Sequence, residues 1–287
     1  TVTDIQYGKT RLSDTIQHMT PKQEQLKKQL IGKRILLVED NETNRIVAQG
    51  FLYKLGIDLD IAVNGLEAVE KVNADVNADT YDLILMDLQM PEMDGIEATK
   101  IIRKKGIKIP ILAMTAAAMP QDKENAAAAG MNEHISKPID EEALNHKILQ
   151  YLVLNTGKEI PLLKSKPDTL KASDKAIIEK PLVDKESSTS TDFSLKLLRQ
   201  YFSDDEILIS KVLSSFNTDL DNIQNQLNDA VQLEDSNQIK NIIHQLKGAS
   251  GNVKADKLFG LCKEYEINFA NGALSPSAER IKQELHQ

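Results

Sequence analysis

Apolar and polar positions over residues 32–154 alternate between two kinds of segment. Short strand-like segments at 34–39, 57–63, 81–87, 109–115 and 133–136, several of them nearly unbroken apolar runs, predict strands. Between them, apolar residues spaced three and four apart predict helices at 43–55, from 65 onward, and at 95–105, 120–129 and 140–154. Gly56, Gly106 and Gly130 stand where three of these helices should stop. The run at 83–86 reads Leu-Ile-Leu-Met and ends abruptly in Asp87. That suits a strand buried on both faces of a parallel sheet better than a buried helix. Five strand–helix units in succession predict an α/β fold, a doubly wound parallel sheet with helices on both faces.

Beyond residue 191 only helical patterns remain. Leu208, Val212, Phe216, Leu220, Ile223, Leu227 and Val231 mark one long amphipathic helix. Further helices are expected at 192–202, 236–250 and 255–269, and Ser275-Pro276 reads as a cap followed by proline at the first helical position. This half is therefore expected to be all-α, a bundle of four or more helices. Residues 1–31 are polar, with a weak helical pattern at 21–30, and read as a lead-in. Residues 155–190 hold Pro161, Pro167, Pro181, many lysines and Ser187-Ser188-Thr189-Ser190, the composition of a flexible linker. The division is then 1–31, 32–154, 155–190 and 191–287.

Composition narrows the function classes. The formal charge of −8 argues against nonspecific nucleic-acid or anionic-membrane binding. The single cysteine, Cys262, allows no internal disulfide and fits a reducing compartment, so a cytoplasmic location is expected. No apolar run approaches the roughly 18 residues of a membrane span. The chain begins with Thr1, so a fragment or processed product is expected, and a membrane segment could lie outside it.

The candidate chemistry sits at the predicted strand ends. The first strand delivers Glu39 and Asp40, the third Asp87, the fourth Thr115, and the segment 133–138 delivers Lys137. In a doubly wound sheet these ends share one edge, where such folds keep their sites. Three nearby carboxylates stay ionised only with a cation among them, and an oxygen donor set with open water positions suits Mg²⁺. A metal there would draw in a phosphoryl oxygen, leaving Asp87 as a candidate nucleophile that forms an acyl phosphate. Thr115 can donate its hydroxyl to that phosphoryl group, and Lys137 can offset its charge. A phosphatase with a nucleophilic Asp would carry Asp-x-Asp, but residue 89 is Gln. A dinucleotide fold would need a glycine-rich turn after the first strand, and residues 39–45 contain no glycine.

Glu39-Asp40-Asn41, Leu85-Met86-Asp87 with Met90-Pro91, Met114-Thr115-Ala116 and Ser136-Lys137-Pro138 together resemble the signature of response-regulator receiver domains over residues 32–154. The resemblance implies a flavodoxin-like fold, Mg²⁺ and phosphorylation of Asp87. It implies metal ligation by Asp40, Asp87 and the Gln89 backbone carbonyl, with Glu39 acting directly or through water. It assigns a switch role to Thr115 and to His134, where the family usually has Tyr or Phe.

In the helical half, Ile239, Ile242, Ile243 and Leu246 mark a buried stripe. At about 100° per residue His244 falls on the opposite side, facing solvent, with Lys247 and Gly248 as neighbours. A glycine inside a helix costs about 1 kcal/mol, so its place beside this histidine implies the close approach of another surface. Lys240 adds positive potential, and a neutral imidazole can accept a phosphoryl group. His18, His134, His146 and His286 lie in no comparable setting, and no pair has metal-ligand spacing. The stretch His244-Gln-Leu-Lys247-Gly248-Ala-Ser250-Gly-Asn252, with Leu258, Leu261 and Glu266, resembles the active helix of histidine-containing phosphotransfer (HPt) domains. That implies phosphorylation of His244, with Lys247 and Gly248 in support.

The whole is similar to the C-terminal part of a hybrid sensor histidine kinase. The expected function is two-component phosphorelay. Asp87 accepts phosphate from a phosphohistidine on a kinase core and exchanges it with His244, which serves a downstream response regulator. The chain shows neither a His-Glu-x-x-x-Pro stretch nor glycine-rich ATP-binding boxes, so it is not expected to make phosphohistidine from ATP. Two alternatives stay open: phosphate flow in reverse, from regulator to Asp87, and a receiver that acts only as a phosphorylation-gated interaction module.

Overall fold

The computed structural model describes residues 28–73, 81–115, 120–154 and 195–270, with 280, 281 and 285. The lead-in before residue 28, the linker and Ser275-Pro276 lie outside the described residues.

Five strands, β1 (Arg34–Val38), β2 (Asp58–Ala62), β3 (Leu83–Asp87), β4 (Ile111–Thr115) and β5 (Glu133–Ser136), form one parallel sheet in the order β2-β1-β3-β4-β5. This is the flavodoxin-like order, whose crevice opens outside the carboxyl ends at the β1/β3 switch point. Every residue of β3 is buried. Its side chains alternate between two apolar clusters, Leu83 and Leu85 on one face and Ile84 and Met86 on the other. Burial on both faces is why this strand reads as a continuous apolar run. The register pairs Val38 with Met86, Asp87 with Met114 and Thr115 with Ser136, which brings the functional strand ends to one edge.

Helices α1 (Glu42–Lys54), α2 (Gly65–Asn73), α3 (Gly95–Lys104), α4 (Pro120–Ala129) and α5 (Glu141–Leu149) connect or follow the strands. Asn41, Asp94 and Asp140 cap α1, α3 and α5 through side-chain oxygens that accept from a backbone N–H of the first turn. Gly56 (φ 73°) and Gly106 (φ 79°) are left-handed stops where the sequence places them. Two boundaries differ from expectation. Leu30 is fully buried in the core, so the end of the expected lead-in belongs to the α/β half. The helix predicted over 140–154 is α-helical to Leu149 and continues as a π-helical segment, Gln150–Leu154.

The helical half consists of α6 (Leu195–Tyr201), α7 (Glu206–Gln232), α8 (Ser236–Asn252) and α9 (Asp256–Ala270). Of the expected α7 stripe, Leu208, Val212, Phe216, Ile223 and Leu227 are buried, and Leu220 and Val231 are partly so. The two halves share one apolar cluster, which runs from the sheet through Val47 and Phe51 to Phe202, Leu208 and Leu246. Phe51 meets Tyr201 edge-on at 5.7 Å and Phe202 at 5.9 Å between ring centroids. Among the described residues no helix is long and apolar enough to cross a membrane.

Gly95 is required by close packing: a Cβ there would overlap the Asp87 carbonyl and press on Met86. Gly260, exposed on α9, has nothing within 4 Å of an added Cβ. In urea denaturation Gly95→Ala is expected to destabilise the protein by about 1–3 kcal/mol. Gly260→Ala should instead stabilise it, by up to about 1 kcal/mol.

Candidate functional site

At the carboxyl edge of the sheet, Glu39, Asp40 and Asp87 each offer an oxygen, and these atoms lie within 4.8 Å of one another. Lys137 reaches into the same place from beyond β5, with Nζ 2.6 Å from Glu39 Oε2 and 2.6 Å from Asp87 Oδ2. Asn44 donates from Nδ2 to Glu39 Oε1 at 2.8 Å, and Arg45 donates to the carbonyls of Glu39 and Asp40. The start of α1 thus holds the loop that carries both acids. The predicted convergence of three acids, a hydroxyl and an amine is observed. Thr115 ends β4 at the mouth of the cleft that Asp87 lines.

Burial raises the Asp87 pKa, and the charges of Glu39 and Asp40 raise it further, against the pull of Lys137. Asp40 is pushed up to about 6 by burial first and by Glu39 second. Burial works against the Lys137 charge, but Asp87 and Glu39 hold its pKa above the ordinary value. One ammonium thus faces three carboxylates, so the site remains short of positive charge. Gln89, on the loop after β3, lines the same cleft, and its buried Oε1 has no hydrogen-bond partner among the described residues. An all-oxygen, charge-deficient donor set of this kind fits Mg²⁺.

His134 does not join this cluster. It sits in β5 opposite Ala113, with Nδ1 3.1 Å from Glu133 Oε1.

His244 departs from its expected solvent exposure. Its side chain keeps 12% of its surface, and Nδ1 lies 2.7 Å from Glu266 Oε1. A helical wheel assumes one buried side, whereas α8 packs against α7, α9 and α1. The side opposite the apolar stripe therefore meets α9 and the cleft. Lys247, the expected neighbour, is buried, and its ammonium donates to Glu266 Oε2. Despite burial, His244 and Lys247 hold Glu266 below the usual carboxylate range. Burial lowers His244 below 6.5, although Glu266 pulls the other way. The expected close approach at Gly248 is present, since an added Cβ would lie 3.1 Å from Asn44 Nδ2 of the α/β half. Lys240 lies over the Phe269 ring at 5.7 Å, and its charge is felt at Asp122, which lines the same cleft as His244.

The two chemistries meet. A cleft of about 140 Å³ is lined by Asp87, Gln89, Asp94, Thr115, Asp122, Asn125 and His244. An ionised Glu266 can only accept, so the neutral imidazole donates from Nδ1 and keeps its Nε2 lone pair free. Asp94, Asp122 and Asn125 were not legible as site residues. Asp94 reads as a helix cap, and the other two lie on α4, whose sequence carries no chemical pattern. Gln245, Asn252 and Asp219, which bond to the α/β half, were missed because only docking gives them partners.

Residues 35–149 match the family model of the response regulator receiver domain, and residues 208–287 that of the Hpt domain. The chain is a receiver domain joined to an Hpt domain. Among curated relatives, the signal transduction histidine-protein kinase BarA of Escherichia coli is 26% identical over 251 residues, 87% of this chain and 25% of that protein. The hybrid signal transduction histidine kinase G of Dictyostelium discoideum is 45% identical over 123 residues, 41% of this chain and 4% of that protein. The chain thus spans a quarter or less of these relatives. Among solved structures, the complex of the Saccharomyces cerevisiae phosphotransfer protein Ypd1 with the Ssk1 receiver domain matches at 34% identity and TM-score 0.40, over 43% of this chain and 90% of that one. The receiver domain of the Pseudomonas aeruginosa sensor kinase PA1611, with a magnesium ion in its cleft, matches at 40% identity and TM-score 0.38, over 42% of this chain and 98% of that one.

Removing Glu266 would leave Lys247 charged and buried. Glu266→Ala is expected to destabilise the protein by about 3–5 kcal/mol in urea denaturation. Glu264→Ala, at a half-exposed position on the same helix, is expected to stay within about 0.5 kcal/mol of wild type.

Proposed function

We propose that this chain is the relay segment of a hybrid histidine kinase, passing a phosphoryl group between Asp87 and His244. The observation that carries the reading is that both side chains line one cleft. The matches to receiver and Hpt models and the likeness to histidine kinases support it. Its domains are residues 32–154 and 191–287, joined by the segment 155–190, and its setting is the cytoplasm.

An Asp87 carboxylate oxygen attacks the phosphorus of a phosphohistidine on a kinase core outside this chain. The P–N bond breaks, the imidazole leaves and an acyl phosphate forms. His244 Nε2 then attacks that phosphorus, the P–O bond breaks, and Asp87 returns to a carboxylate. No proton must leave Nε2, because Glu266 holds the imidazole proton on Nδ1. Lys137 and the Thr115 hydroxyl balance the oxygens of the acyl phosphate. Asp40, Asp87, Glu39 and the Gln89 backbone carbonyl would hold Mg²⁺, which supplies positive charge to the phosphoryl oxygens when bound. His244 would then serve the receiver of a separate response regulator.

The test is phosphorylation of the purified chain by acetyl phosphate or phosphoramidate with Mg²⁺. An alkali-labile product should vanish in Asp87→Ala, and an acid-labile one should vanish in both Asp87→Ala and His244→Ala. Chelating the metal should abolish both products. If no Asp87-dependent product forms with Mg²⁺ present, the relay reading fails. Adding candidate regulators gives the direction of flow, and a regulator response that survives His244→Ala would favour the interaction-module reading.

Transfer to His244 has its own pH signature. The reactive form is the neutral imidazole, and its pKa lies below 6.5. In stopped-time assays the rate of transfer from Asp87 to His244 should stay flat from about pH 8 down through the ordinary histidine pKa. It should fall only in more acid solution.

A further inference from the structure

Among the contacts between the helical domain and the receiver, one carboxylate meets the N-terminal turn of α1. Asp219, on α7, accepts three hydrogen bonds at Oδ2: from Asn41 Nδ2 at 3.0 Å, from the Thr43 backbone N–H at 3.3 Å and from the Thr43 hydroxyl at 2.7 Å. Ser215, one turn earlier on α7, lies 3.2 Å from the same hydroxyl. The first turn of a helix has backbone N–H groups without intrahelical partners and the positive end of the macrodipole, so an anion suits it. Asn41 serves twice, capping α1 through Oδ1 and donating to Asp219 through Nδ2. Farther along α1, Leu208 occupies the space that a Cβ on Gly50 would take.

We propose that Asp219 selects the receivers this Hpt domain serves. It recognises a receiver whose first helix opens with an asparagine cap and a hydroxyl residue two positions on, the pattern Asn41-x-Thr43. The receiver in the same chain satisfies it, and the partner receiver in trans is one that carries Asn-x-Thr or Asn-x-Ser at that place. Since a single oxygen takes all three bonds, the cis and trans receivers exclude each other. The trans part rests on the relay reading, while the docking part stands without it.

Two measurements on full chains decide this. The first is hydrogen exchange at the opening turn of α1, residues 43–45. Asp219→Ala and Thr43→Val should each speed exchange there several-fold, and Thr43→Ser should stay at the wild-type rate. Exchange in α2 should be unchanged throughout, showing that the receiver stays folded. Wild-type protection in Asp219→Ala, or equal damage from Thr43→Ser and Thr43→Val, overturns the proposal. The second uses as donor a chain carrying His244→Ala and Asp219→Ala, whose receiver is already released from its own Asp219, phosphorylated on Asp87, and an Asp87→Ala chain as acceptor. Adding Thr43→Val to the donor should slow transfer about tenfold, the scale of a lost hydrogen bond to a charged group. Adding Thr43→Ser should not, and equal rates for the Thr43→Val and unaltered donors overturn the claim in trans. A chain that takes no phosphoryl group on Asp87 defeats the relay reading alone, and the exchange measurement still decides the docking.

Discussion

Lys137 Nζ stands 2.6 Å from Glu39 and 2.6 Å from Asp87, in a place where water barely reaches. Parallel strands bury both faces of the sheet, so whatever follows their carboxyl ends is partly stripped of solvent as well. Two strand ends supply acids and the edge beyond the fifth supplies the ammonium. Without that ammonium the carboxylates would sit within 4.8 Å of each other with only repulsion between them. The lysine relieves part of this and leaves a net deficit of positive charge. That deficit is what fits the site to a divalent cation.

The helical domain repeats the motif with the signs rearranged. Glu266 is the buried anion, and His244 and Lys247 are its two neighbours. Here the carboxylate is fully engaged, and the group left with a free valence is the imidazole, whose Nε2 has no role in the pairing. Each domain therefore uses its buried charges to orient one side chain, Asp87 in the one and His244 in the other. Both residues then line one cleft. The proposed phosphoryl transfer would need little more than such positioning and charge balance.

Much of this could be read from the residues alone. The strand–helix alternation was legible because double burial writes β3 as an unbroken apolar run, and the site because strand order sends every strand end to one edge. Gly248 was legible as a contact because a glycine inside a helix is otherwise costly. The environment of His244 was not. A helical wheel finds the side of α8 that meets its own bundle, but it cannot foresee a second domain and α9 closing over the far side. The burial of Leu30 was missed for a related reason: the weak helical pattern at 21–30 was too faint to assign it to a core. Asp219 reads as an ordinary polar position, and Gln245 and Asn252 read only as part of the His244 stretch, because their partners lie about two hundred residues earlier in the chain.

The character of the docked surface bears on how the relay could turn over. Beside the shared apolar cluster, with Phe51 against Tyr201 and Phe202 and Leu208 over Gly50, the docked surface carries polar contacts: Asp219 with Asn41 and Thr43, Asn252 with Asn44 and the Ile139 N–H, Gln245 with Asp40, and Tyr201 with the Ile139 carbonyl. Tyr201 and Phe202 precede the region that matches the Hpt model, so they add apolar area that belongs to this chain's covalent arrangement. Polar groups at a separable interface exchange one partner for water on opening, and the net cost of each exchange is small, about 0.5–1.5 kcal/mol. Tethering in one chain compensates for such weakness by raising the effective concentration of the two domains. A surface built this way holds Asp87 and His244 at one cleft while it is shut, and the proposed exchange with a receiver of another chain requires it to open.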